Sequence, residues 1–96
     1  MYGEPRKIRE VAERLERRAE GLRSEADALH TASEDIAWVS VAADRMREHA
    51  RDRRDELVQV AREYDEAARK VREHAAEVQR LLDLIGAIER QVRAIV

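Results

Sequence analysis

Two runs of apolar positions organise this chain, and each repeats every seven residues. In the first run Ile8, Leu15, Leu22, Leu29 and Ile36 recur at heptad spacing, with Ala12, Ala19, Ala26 and Ser33 set between them. The second goes from Ala43 through Met46, Ala50, Arg53, Leu57, Val60, Tyr64, Ala67, Val71, His74, Val78, Leu81, Ile85, Ile88 and Val92 to Ile95. Steps of three and four alternate strictly within each run, which is the period of helices that pack along a seam. Between the runs, Ile36, Val39 and Ala43 break the alternation, and Trp38, the single tryptophan, sits at the break.

The spacing predicts an all-α fold in one domain spanning residues 1–96: a helix over about 5–36, a turn over about 37–40 and a longer helix over about 41–94. Pro5 suits a first helical turn, where its missing N–H costs nothing, and Glu4 suits the positive end of the helix dipole. Ser40 can cap the second helix with its hydroxyl, and Asp44 falls in that helix's first turn. Gly21 lies off the first seam, and Gly86 is the weak point of the second helix.

An antiparallel hairpin about Trp38 has arms of unequal length, roughly 48 Å and 80 Å at ~1.5 Å per residue. It sets Leu29 near Met46 and Ala50, Leu22 near Arg53 and Leu57, Leu15 near Val60 and Tyr64, and Ile8 near Ala67 and Val71. Everything beyond His74 overhangs, and this end is the most apolar part of the chain. Two helices bury only a strip, so dimerisation into a four-helix bundle is the expectation. The rival architecture is one unbroken helix of roughly 140 Å in a parallel dimer, a cytoplasmic coiled-coil scaffold or regulator with a phase slip near Trp38.

Composition narrows the function classes. Charged residues make up 42% of the chain, yet 19 basic and 21 acidic side chains leave a net charge of only −2. A polyanion therefore has no basic patch to hold it, and nucleic-acid binding is not expected. Absent cysteine rules out disulfides and thiolate chemistry. Neither a leader-like apolar core nor a membrane span is visible, because the most apolar stretch is short and cut by Asp83. His30, His49 and His74 are the metal-ligand or acid–base candidates. A bundle di-iron site needs a Glu three residues before each ligating His, and those places hold Asp27, Met46 and Val71. No catalytic, cofactor or metal site is expected. Arg53 and His74 are polar intruders on the seam, where such residues select register or partner. With Leu81, Ile85, Ile88, Val92 and Ile95 they form the expected interface.

The stretch from Trp38 to Met46 resembles the turn of the Trp-x-Gly (WXG) family of type VII secretion proteins. Trp38, Ala42, Ala43 and Met46 stand where that family has its tryptophan, its alanines and its bulky apolar residue. Ser40 replaces the family's Gly, and the Tyr-x-x-x-Asp/Glu export signal is absent, since Tyr64 is followed four places on by Ala68. The resemblance implies a helical hairpin acting as a homodimer, or as a heterodimer with a similar small helical protein. It further implies cytoplasmic synthesis, export without a cleaved signal peptide, and contact with a secretion ATPase. If Trp38 anchors the turn, Trp38→Ala lowers hairpin stability by about 2–4 kcal/mol. Thermal unfolding followed by circular dichroism measures this, and an unchanged melting temperature removes the anchor role.

Overall fold

The computed structural model describes residues 4–35 and 40–95. Two helices make up the fold: α1 (Pro5–Glu34) and α2 (Val41–Ile95), packed against each other as an antiparallel hairpin with a long second arm. The chain thus folds back on itself and is not an unbroken rod. Its extents are 84 × 15 × 14 Å, the long axis being that of α2. Trp38, with Ile36, Ala37 and Val39, lies outside the described residues.

Local chemistry accounts for the helix ends. Proline occupies the first turn of α1, and the Ile8 N–H donates to the Glu4 carbonyl at 3.0 Å. The Glu4 side chain makes no capping bond. α1 closes where the Asp35 N–H donates to the Thr31 carbonyl at 3.1 Å. At the start of α2 the Ser40 Oγ accepts from the Ala43 N–H at 3.0 Å, and Asp44 lies in the first turn. No described residue has a positive φ. A serine cap, not a left-handed glycine, therefore opens α2.

The seam between the helices is built largely from small side chains. Ala12, Ala19 and Ala26 of α1 are buried, as are Ala43, Ala61, Ala68 and Ala75 of α2. Leu22, Leu57 and Val78 are the larger buried side chains, and Leu29, Val58 and Tyr64 pack at the edge of the cluster around Leu22 and Leu57. Ser33 is buried too, and its hydroxyl donates to the His30 carbonyl at 2.8 Å, so the polar group is satisfied within its own turn.

This corrects half of the expected seam. Ala43 and Leu57 are buried as expected, but Ala61, Ala68 and Ala75 take the places assigned to Val60, Ala67 and His74, and Val78, expected in the overhang, is buried too. Val60 is 38% exposed while Ala61 is 0% exposed. Alanine at the contact lets two backbones approach closely, whereas valine or histidine there would hold them apart. Near the turn the expected neighbours are kept, Leu29 with Met46 and Ala50 and Leu22 with Arg53 and Leu57. Further out the pairing runs ahead of expectation: Glu16, beside Leu15, meets Arg72, well past the expected Val60 and Tyr64. Burial continues through Ala75 and Val78, so the free end begins after Val78 and not after His74.

Two cross-helix ion pairs mark the register. Arg72 grips Glu16, its Nε donating at 3.1 Å, and Arg23 pairs with Asp65. The members are seven residues apart on both helices, so one heptad separates the pairs. All four side chains are about half exposed, and such pairs contribute roughly 0–1 kcal/mol each. Nearer the turn, Arg54 donates to His30 Nδ1 at 2.9 Å. Arginine can only donate, so the imidazole hydrogen sits on Nε2, facing Glu34 at 3.6 Å.

Ala61→Leu should lower stability by about 1–3 kcal/mol, because no space exists at the contact for the added carbons. Gly21→Ala should raise it by up to ~1 kcal/mol, since a Cβ there meets no atom within 4 Å and removes a flexible residue from a helix interior. Urea unfolding at fixed protein concentration checks both. A neutral Ala61→Leu would show that the seam is not close-packed.

Candidate functional site

Two apolar edges run side by side along α2. One edge is the alanine seam, consumed by α1. The other is the set left outside it: Met46, Arg53, Val60, His74 and Leu81, all exposed, with Ala67 partly covered. On α1 the matching positions are Ile8, Leu15 and Leu29, each only partly covered. Together they form one open face along the hairpin.

That face deepens near the turn. Leu29, Ala32 and Ser33 of α1 and Arg45, Met46, His49, Ala50 and Arg53 of α2 line a groove of about 750 Å³. A second groove continues it through Arg53 to Leu22, Leu57 and Val60. The floor is apolar, and the Arg45, His49 and Arg53 side chains stand among its lining residues. A groove of this kind suits the apolar face of a helix.

The interface residues expected from sequence divide into two places. Met46 and Arg53 come together in the groove. Arg53 does not reach into the contact between the helices; its guanidinium stays exposed and donates to Glu56 at 3.2 Å. His74 likewise lies outside that contact, exposed on the open edge. Leu81, Ile85, Ile88, Val92 and Ile95 belong to the free end of α2, where exposure climbs from 37% at Leu81 through 51% at Ile88 to 84% at Ile95. Leu82 and Leu84 are exposed there as well, which widens the stripe beyond a narrow seam. Among the turn-motif residues, Ser40 caps α2, Ala43 is buried in the seam, and Ala42 is exposed. Trp38 is outside the described residues.

Leu29 lines the groove beside Met46 and Ala50, the neighbours that its heptad position predicts. Ala32 is a groove residue that the sequence reading did not single out, and His49 appears there only as a metal-ligand or acid–base candidate; both lie one step off the heptad positions.

Charge on the remaining surface is locally paired. Arg69 bridges Glu66 and Glu73 within α2, the latter at 2.7 Å. The Arg69 hydrogen bond and positive charge hold the Glu66 carboxyl below the usual glutamate range, and Glu66 in turn raises Arg69. Among the described residues no group of three or more His, Asp or Glu side chains could hold a metal ion. No described helix is long and apolar enough to cross a membrane. Comparison with protein-family models, curated proteins and solved structures finds no match for this chain.

Because the Glu66 carboxyl is depressed in the folded chain, its contribution to stability is present above the unfolded glutamate pKa. That contribution is lost as pH falls through the lower, folded value. An NMR titration of the Glu66 side chain should give a midpoint below that of an unstructured glutamate, and Arg69→Ala should return it to the ordinary range. An unmoved midpoint in Arg69→Ala would show that Arg69 is not the cause.

Proposed function

We propose that this chain is a non-enzymatic protein–protein association module: a WXG-like hairpin that is a type VII secretion substrate or the partner co-exported with one. It works as a homodimer, or as a heterodimer with a similar small helical protein, in a bundle of four helices. Synthesis is cytoplasmic, export proceeds without a cleaved signal peptide, and a secretion ATPase is the machinery it meets.

One observation carries the association reading. After α1 and α2 have packed, large apolar side chains remain exposed along the whole of α2, from Val41 and Met46 through Val60 to Ile95. A lone hairpin that buries alanines and exposes leucines and isoleucines has its hydrophobic surface arranged for a second molecule. The secretion reading rests on the WXG-like turn, of which the cap at Ser40, the buried Ala43 and the groove-lining Met46 are the described part.

Multi-angle light scattering tests the association on the purified chain, alone and co-expressed with the product of the neighbouring gene. The expected mass is that of two chains in at least one arm, against 11.1 kDa for the monomer. A monomer in both arms at tens of micromolar overturns the proposal.

A further inference from the structure

Two unpartnered surfaces lie at opposite ends of the same helix, and their dimensions agree. The groove runs along α2 from Met46 to Val60, and the free end runs from Leu81 to Ile95. Each stretch is fifteen residues, about 22 Å of helix. Their exposed heptad positions repeat in step: Met46, Arg53 and Val60 on one, Leu81, Ile88 and Ile95 on the other.

We infer that the free end of α2 in one copy lies in the turn-proximal groove of a second copy, and that the second copy returns the contact. This deepens the association reading above and rests on it, and it names a second copy of this chain as the partner. Running the two α2 helices antiparallel sets Met46 against Ile95, Arg53 against Ile88 and Val60 against Leu81 of the other chain. One twofold axis then satisfies both grooves and both free ends, as a closed isologous dimer requires.

The layering follows from the unequal arms. α1 covers α2 only as far as Val78. In the middle of the pair, where both α1 helices overlap, four helices pack together. Towards each end, one free end joins the α1 and α2 of the other copy in a three-helix arrangement. A helix seated between two others needs a broader apolar face than one meeting a single neighbour. The free end has that breadth, because Leu82 and Leu84 flank Leu81 and Ile85. Area agrees as well. Each free end offers seven large apolar side chains that together expose on the order of 600 Å², and two of them with the grooves they enter fall within the roughly 1,200–2,000 Å² of a specific interface. Arg53 fits this arrangement, its aliphatic stem lining the groove while the guanidinium is held outside by Glu56.

Cysteine cross-linking decides the matter, since the natural chain has no cysteine. Arg53→Cys and Ile88→Cys, both at exposed positions, are purified separately and then oxidised alone and as an equimolar mixture after subunit exchange. Within one chain the two sites are about 50 Å apart along α2, far beyond the roughly 7 Å between Cα atoms that a disulfide spans. The expected result is disulfide-linked dimer in the mixture, rising towards about half of all chains, and little in either variant alone. Val60→Cys with Leu81→Cys repeats the test in case one pair fails to fold, as judged by helical circular dichroism. If light scattering shows a dimer but neither mixture cross-links above its single variants, the reciprocal arrangement is wrong and association stands. Cross-linking of Ile88→Cys with itself also overturns the arrangement, by placing the two free ends together. A chain that is monomeric alone and dimeric only when co-expressed overturns it too, leaving the heterodimer reading. A monomer in every arm removes both.

Discussion

Close packing of alanine against a neighbouring helix is the constraint from which the rest of this structure follows. Ala12, Ala19 and Ala26 on α1 and Ala61, Ala68 and Ala75 on α2 have no side chain beyond Cβ, so the two helices meet almost at backbone level. A contact of that kind is narrow. It uses a stripe of small residues and turns the adjacent, larger ones outward. The few large side chains that the hairpin does bury, chiefly Leu22, Leu57 and Val78, lie along a line and enclose no deep core. Stability of the isolated hairpin is therefore limited by geometry, and the apolar surface that could add to it is displayed on the other face.

That displacement ties the fold to the function proposed for it. Helix α2 carries more apolar surface than one neighbour can cover. Its two edges differ in kind: alanines on one, and Met46, Val60, Leu81 and Ile88 on the other. The first edge is spent within the chain and the second stays exposed, which is the surface the proposed association uses. Polar residues on the open edge acquire a different meaning once they are seen there. Arg53 and His74 do not interrupt the contact between α1 and α2; they lie on the exposed edge, where in the proposed assembly a polar side chain would discriminate between partners more than contribute affinity.

Most of the fold was legible because strong local signals agreed. Pro5 opening α1, Ser40 capping α2 and two uninterrupted heptad runs all point to two helices with a break between them. The phase of the seam on α2 was not legible, for a specific reason. Val60 and Ala61, Ala67 and Ala68, and His74 and Ala75 are adjacent pairs, so two stripes one residue apart both satisfy the heptad period. Weighting positions by side-chain size selects Val60, whereas close approach selects Ala61. The clue lay in the other helix, whose own alanines recur at the same spacing. Candidate association residues were legible as apolar heptad positions, and so was the meeting of Leu29 with Met46 and Ala50, but not the groove between them, because Ala32 and His49 join its lining from outside the heptad positions.

A ladder of equal alanines has no memory of its own position. Sliding α1 by one heptad along α2 would again set most of the alanines on alanine, so their shape alone opposes it weakly. The ion pairs supply the missing information. After a slide in one direction Glu16 stands opposite Asp65, and after a slide in the other Arg23 stands opposite Arg72, so each misalignment brings like charges together. Pairs that add little to the depth of the native state thus act as a checksum on the alignment, penalising every one-heptad error while leaving the correct register nearly unchanged in energy.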